Sequence, residues 1–288
     1  MLTDNKLYSL ANFTINEIHQ GELNFNSLLN NELSGFIVND FLNATEINTI
    51  IQGFRSLSQS ELVHINKGFD SYPMSFAQLE QMVHAGQLKE EDYFSISKNF
   101  NSHFQNKFGV NVFQKLQWLF QSLKNSPTVE RAPNEEKSGF YVPFTFRELF
   151  PGEGNLKAHC ENLFYKEFPG FFNRISKFSI PDDQFSFFIV LQSPGSGGEL
   201  SLFDLIWDNH QKRPNDHKVI LSDGRTLDFE DASSLKRDTL PCLAGSLVVF
   251  SGGKIWHRIE TIRTAPSRIT LGGFLSFSRD KSKLYSWS

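Results

Sequence analysis

Cysteine is nearly absent. The 288-residue chain holds two, Cys160 and Cys242, in no ligand-like spacing, which argues against a disulfide framework and against a Cys-rich zinc site. Long apolar runs are missing as well, and none approaches the ~18 residues that a membrane span needs. Positive charge is not concentrated anywhere: 28 basic residues face 32 acidic ones, for a formal net charge of −4. With no Lys/Arg block to meet a phosphate backbone or an anionic lipid surface, neither nucleic acid nor membrane is an expected partner. The start, Met1-Leu-Thr-Asp-Asn-Lys6, lacks a cationic stretch followed by an apolar one, so the expectation is a cytoplasmic protein.

What the chain has in excess is phenylalanine, 30 residues against 6 tyrosines and 4 tryptophans. The length suits one substantial core, and residues 1–288 are expected to form a single domain. Residues 1–135 read as a mostly helical support region. Gly35 to Leu42 suggests a short buried strand, and Asn43-Ala-Thr-Glu46 offers a cap with Glu three positions on, which suits a helix start. Phe76, Leu79 and Val83, and again Phe113, Leu116, Leu119 and Phe120, have helical spacing. After Pro133 a polar stretch, Asn134 to Gly139, leads into short apolar runs divided by Gly, Pro, Asn and Asp.

Within residues 136–288 the strand candidates are Phe140 to Phe146, Leu156 to Asn162, Phe185 to Gln192, Glu199 to Phe203, Ser246 to Phe250, Ile255 to Thr261 and Arg268 to Phe277. So many short strands without long helices between them predict an antiparallel sandwich or barrel. The chain is therefore mainly β with helical support, an α+β class. A polar insertion at about 207–238, with an Asp-Gly hairpin signal at Ser222 to Arg225, is expected to be lid-like.

Of the eight histidines only His159 has a carboxylate two residues later, in His159-Cys160-Glu161. On a strand, residues i and i+2 share a face, so imidazole and carboxylate would stand side by side with Cys160 turned away. One more histidine from another strand completes the two-His-one-carboxylate set that holds Fe(II) with open positions. The candidate is His257, which alternation places on one face with Ile255 and Ile259, after a turn at Gly252-Gly253. A histidine among apolar neighbours is either a satisfied core residue or a ligand.

Eleven residues on, Arg268, Thr270 and Gly272 share one strand face. A guanidinium fork with a hydroxyl beside it fits the distal carboxylate of a dicarboxylic cosubstrate, the alternative being an ion pair at the sheet rim. Arg147 either meets a substrate carboxylate, supports the cosubstrate, or makes a surface ion pair. Trp207 and Trp256 read as packing residues, Gly197-Gly198 as a tight turn rather than a phosphate loop, and Gly272-Gly273 as a gap for cosubstrate or close packing. His19, His64, His84, His103, His210 and His217 lack ligand spacing.

His159, Glu161, His257 and Arg268, in that order and context, resemble the Fe(II)/2-oxoglutarate-dependent oxygenases built on a double-stranded β-helix, a cupin-like jelly roll. Gly197-Gly198-Glu199-Leu200, the His257 segment, Arg268 to Ser278 and Tyr285 to Ser288 are most similar to the branch with carrier-independent halogenases of hapalindole-type alkaloids and hydroxylases of N-acylated amino acids. The likeness returns around Tyr141 to Arg147 and fades in the N-terminal half. It implies an enzyme with Fe(II) on His159, Glu161 and His257, 2-oxoglutarate on Arg268 and Thr270, O2 as co-oxidant, and a small-molecule substrate near Arg147. In the halogenases the acidic position is Gly and chloride takes the vacated iron site. Glu161 instead implies hydroxylation of an unactivated C–H bond, in an amino acid or a derivative of one. The alternatives are halogenation or another oxidative tailoring reaction, and a jelly roll that only binds a ligand, against which Glu161 and Arg268 count. The phenylalanines are expected to fill the barrel and keep the iron site dry, a few of them lining the pocket.

Overall fold

The computed structural model describes residues 6–288 except 135, 137, 232 and 242, with Ile96 described by its backbone alone. The start at Met1 to Asn5, two positions of the polar 134–139 stretch, and Cys242 lie outside the described residues. The strands, in chain order, are β1 (Leu10–Phe13), β2 (Gly35–Val38), β3 (Val63–Asn66), β4 (Phe69–Tyr72), β5 (Thr128–Arg131), β6 (Thr145–Leu149), β7 (Leu156–His159), β8 (Ser179–Gln192) and β9 (Leu200–Ile206). They continue as β10 (Lys212–Asn215), β11 (Lys218–Ile220), β12 (Thr226–Asp228), β13 (Arg237–Leu240), β14 (Leu247–Phe250), β15 (Ile255–Ile259), β16 (Arg268–Ser278) and β17 (Lys283–Trp287).

Two sheets make the jelly roll. The major one runs β1-β2-β14-β8-β16-β6-β4-β3, with β17 on β16 and β5 on β17; the minor one runs β13-β9-β15-β7. Strand alternation sorts the apolar side chains into three layers. Between the sheets lie Leu149, Phe188, Val190, Leu200, Leu202, Val248, Phe250, Ile255 and Ile259. On the far side of the major sheet, Phe144, Phe146, Phe187, Ile269 and Leu271 bury against the N-terminal helices. Outside the minor sheet, Cys160, Phe203, Leu205 and Trp256 are covered by Val219, Phe229 and Leu235 of the insertion.

The helix starts read from sequence are present. Asn43 and Glu46 form a reciprocal capping box on the helix Ala44–Arg55, and the two apolar stripes lie on Phe76–His84 and Val112–Ser122. The Asp-Gly signal closes the β11/β12 hairpin. No helix among the described residues is long and apolar enough to cross a membrane.

Several segments differ from expectation. The Phe140 to Phe146 run becomes a strand only at Thr145. Pro143 has no N–H for a ladder, and neighbouring groups bond to side chains instead, Val142 N donating to Tyr93 Oη at 3.0 Å and Pro143 O accepting from Ser286 Oγ at 2.8 Å. Strand β8 begins at Ser179 rather than Phe185, because the break suggested by Pro181-Asp-Asp183 is absorbed as an irregularity against β16, with Asp183 at φ 56°. The N-terminal region carries five strands besides its helices, and they extend the major sheet at both edges. Strands of four residues leave too little alternation to be seen in sequence. The insertion forms its own sheet, β10-β11-β12, pinned to the outer face of the minor sheet.

The phenylalanine excess is mainly a sheet-to-helix adhesive. Phe146 is 0% exposed; it stacks on Phe54 at 4.5 Å and meets Phe108 at 4.9 Å and Phe104 at 5.7 Å. Inside the barrel only Phe188 and Phe250 of the expected strand rings appear among the described core residues. Phe146→Ala is expected to cost about 3–5 kcal/mol of stability, read as a lower urea midpoint at unchanged slope.

Candidate metal centre and adjoining pocket

His159 and His257 face each other because β7 and β15 are antiparallel neighbours in which these two residues are direct Cα partners. Their side chains therefore share the inner face, with ring centroids 4.4 Å apart. Each ring is fixed by a bond to its own strand, His159 Nδ1 to Lys157 O at 2.6 Å and His257 Nδ1 to Ile255 O at 2.8 Å. A carbonyl only accepts, so both Nδ1 atoms carry the proton and both Nε2 lone pairs are left for the interior.

Glu161 reaches the same point by another route than strand alternation. Strand β7 ends at His159, Cys160 is extended, and Glu161 opens a 3₁₀ turn, Glu161–Leu163. The Gly252-Gly253 connection between β14 and β15 holds that turn, Gly252 O accepting from Glu161 N at 3.2 Å and Gly253 O from Asn162 N at 3.1 Å. Gly252 also clears the space: a Cβ there would lie 2.0 Å from Ser186 Oγ and 2.6 Å from Glu161 Oε2. Glu161 is 1% exposed. Its Oε1 accepts from Ser186 Oγ at 2.5 Å and lies 3.4 Å from His257 Nε2, while Oε2 has no hydrogen-bond partner.

One ligand atom from each of His159, Glu161 and His257 lies within 4.8 Å of the others. Two imidazole lone pairs and an unpartnered carboxylate oxygen converge in a buried corner, an arrangement that is unfavourable until a cation sits among them. The residues thus fit Fe(II). Burial, and then the neighbouring His257 ring, push the His159 pKa down to about 3, so the ring is neutral. Burial alone would raise the Glu161 pKa, but His257, His159 and Ser186 outweigh it and hold the carboxyl below its usual range. Phe250 packs edge-on against His257 at 4.8 Å.

Arg268 and Thr270 are buried on the barrel side of β16, with Arg268 3% exposed and its guanidinium 5.1 Å from the Phe188 ring centre. Gly198, in the Gly197-Gly198 turn, has φ +75°, and a Cβ on it would meet Arg268 Cδ at 3.0 Å, so the turn lies against the arginine stem. Arg147 pairs with Thr270 across β6 and β16. Its pKa is pulled down to about 10, chiefly by burial, with the Glu161 carboxylate raising it and the Arg268 charge lowering it. Gly272 makes room for it: a Cβ would lie 3.2 Å from Arg147 Nη1. Of the residues named from the sequence, His159, Glu161 and His257 thus form one cluster, Arg147 shares the adjoining pocket wall with His159, and Thr270 lies across the ladder from Arg147, which also feels the Arg268 charge.

A pocket of ≈ 430 Å³ adjoins His159, lined by Phe69, Phe76, Phe164, Phe168, Phe274, Arg147, Arg213 and Ser288 among others. Ser186, the clearing role of Gly252 and four of those five rings are not legible from the spacing of residues alone. Ser186 had a visible signal, a lone hydroxyl in the apolar run Phe185-Ser-Phe-Phe188. Those four come from the start of the helix Phe76–His84, from residues 164–168 and from β4, which are brought together only in three dimensions. Trp207 and Trp256 are packing residues, 6.3 Å apart, with Trp256 stacked on Phe229 at 5.3 Å. The other six histidines join no metal-sized cluster among the described residues.

A jelly roll with this inward-facing cluster defines the class of Fe(II)/2-oxoglutarate-dependent oxygenases, enzymes that use Fe(II), 2-oxoglutarate and O2. Within it, the sequence profile of the carrier-protein-independent halogenase WelO5 family matches residues 7–288, and the chain belongs to that family. Among solved structures it is similar to an N-substituted L-amino acid dioxygenase from Burkholderia ambifaria AMMD, at 15% identity and TM-score 0.52 over 94% of this chain and 91% of that one. The same comparison with the dioxygenase in complex with alpha-KG gives 14% identity and TM-score 0.53 over 91% and 89% of the two chains. At that identity the likeness shows a shared fold. No curated protein matches.

The crowding at Gly252 makes a direct prediction. Gly252→Ala is expected to displace Glu161 and weaken Fe(II) or Mn(II) binding at least about tenfold, with a small change in Tm, measured by anaerobic metal titration.

Proposed function

We propose that the protein is a hydroxylase that inserts one oxygen atom of O2 into an unactivated C–H bond of a small molecule. The observation that carries this reading is the buried Glu161 carboxylate, which fills the corner that the halogenases leave to chloride. Chloride would have to displace a tethered, ionised ligand wedged behind Gly252 and clamped by Ser186. The family match favours halogenation as the second reading.

His159, Glu161 and His257 hold Fe(II), and the bonds from Nδ1 to Lys157 O and Ile255 O keep both rings aimed at it. Ser186 turns the Glu161 carboxylate so that Oε2 is free for the metal. Arg268 and Thr270 would receive the distal carboxylate of 2-oxoglutarate, with the Phe188 ring against the guanidinium. When bound, the iron, cosubstrate and O2 supply an oxidation in which 2-oxoglutarate is converted to succinate and CO2 and one oxygen atom reaches the substrate carbon. Arg147 and the rings around it orient the substrate and exclude water from the reacting side. We read the helical region and the barrel as one domain, since both supply one continuous core, and a reducing cytoplasm as the setting, which suits ferrous iron and the free thiol of Cys160.

Protein purified without oxygen and supplied with Fe(II) and 2-oxoglutarate is expected to release succinate slowly when O2 is admitted. His159→Ala is expected to lose both metal binding and succinate. Equal iron affinity in the two proteins, with no succinate from either, removes the oxygenase assignment of these residues. A chlorinated product formed in chloride overturns the choice of hydroxylation. Arg268→Ala is expected to weaken 2-oxoglutarate binding by about 1.5 to 3 kcal/mol, the scale of a charged hydrogen bond, and calorimetry of the Mn(II) form measures it.

A further inference from the structure

The cations around the pocket are not equivalent. Arg213, at its rim, donates to Glu167 Oε1 and to Ala158 O. Lys157, which also lines it, is exposed to solvent. Farther off, Arg174 is paired with Glu80 and Glu90, and Arg131 is spent on backbone carbonyls of Ser97, Lys98, Phe140 and Tyr141. Arg147 differs from these. Its one hydrogen bond among the described residues is a long one, Nη2 to Ser288 Oγ at 3.4 Å, and its guanidinium rests 5.7 Å from the Phe274 ring centre. No carboxylate lies within ion-pair distance of it among the described residues, yet it lines the pocket beside His159. Its planar donors are left at the wall of a cavity that also carries five phenylalanine rings.

Arg147 alone singles out the missing partner. A guanidinium held largely out of water with no carboxylate beside it among the described residues is costly until an anion meets it. A neutral substrate leaves that charge unmet, a cationic amine repels it, and a carboxylate pairs with it. Resting on the oxygenase reading above, we propose that the substrate is a small carboxylic acid with an apolar or aromatic body. Its carboxylate forks onto Arg147, and its body lies among Phe76, Phe164, Phe168 and Phe274. The pocket, ≈ 430 Å³, is of small-molecule size. The oxidised carbon then lies on the part of the body nearest His159, away from the anchored carboxylate.

Matched probes test this: 3-phenylpropanoate, hexanoate, N-acetyl-L-phenylalanine and N-acetyl-L-leucine, each beside its uncharged primary amide. Binding to the anaerobic Fe(II)–2-oxoglutarate protein is measured by calorimetry, and stimulation of 2-oxoglutarate consumption is measured after O2 is admitted. At least one carboxylate is expected to bind about 10- to 100-fold more tightly than its amide and to stimulate consumption. In Arg147→Met and Arg147→Gln that preference is expected to vanish, while 2-oxoglutarate affinity stays within about twofold. Equal binding of acids and amides to the wild-type protein, or no binding of any acid, overturns the proposal without reference to a variant. Loss of 2-oxoglutarate affinity in both variants, with the acid preference intact, assigns Arg147 to the cosubstrate and overturns it as well. Fe(II) and 2-oxoglutarate binding to wild type is measured first. Its absence removes the oxygenase reading and this inference together, whereas normal cosubstrate binding with no preference for acids removes this inference alone.

Discussion

A carboxylate buried against two imidazole lone pairs is the constraint on which the rest of this structure depends. Without a cation, Glu161 sits in an apolar interior with one oxygen unpartnered, a situation worth several kcal/mol of destabilisation in general. The surrounding chain is arranged so that the strain is relieved by metal rather than by rearrangement. His159 and His257 are locked by register and by backbone bonds, Ser186 fixes one carboxylate oxygen, and the Gly252-Gly253 carbonyls fix the turn that carries Glu161. The fold and the metal preference are thus parts of one balance, and the apoprotein is the less stable form by the free energy of metal binding.

The two faces of the major sheet divide the work. The face toward the helices carries Phe144, Phe146, Ile269 and Leu271 and supplies burial. The face toward the minor sheet carries Arg268, Thr270 and, through β6, Arg147, which serve recognition. Because alternate residues of the same strands serve the two purposes, a register slip of one residue would exchange them, and the apolar drive to cover the outer face also fixes the arginines inward. The minor sheet repeats the pattern: Ile255, His257 and Ile259 point in, and Trp256 points out to the insertion.

Much of this was readable from residues alone. The alternation around His257 and Arg268 places those side chains correctly because both lie on regular strands with apolar neighbours. Glu161 was found for a reason that is only half right. The two-residue spacing from His159 mattered, but a 3₁₀ turn brings the carboxylate back, not a shared strand face. The pocket was the least legible part. Phe76, Phe164 and Phe168 look like ordinary core residues of short helices, and their second role comes from where those helices land on the sheet. The edge strand β3 and its inner neighbour β4 leave little trace in the sequence because Val63–Asn66 and Phe69–Tyr72 mix polar and apolar residues over only four positions each.

Phe76 shows what that double role entails. It stands at the start of its helix, where its backbone N–H donates to Ser288 O at 2.8 Å, and its ring lies 4.0 Å from Phe171 and 4.9 Å from Trp287 while forming a wall of the pocket. A change in this wall is therefore also a change in the core, and selection for stability resists it. Gln78 is similarly committed, since its side chain caps the same helix at Ser75 N. Freedom to reshape the cavity is greater at Gln81 and Ile65, which line it and join none of the hydrophobic core clusters. Divergence in substrate among relatives that share this barrel is accordingly expected at the outer turn of one helix and the tip of one hairpin, while the rings behind them stay the same.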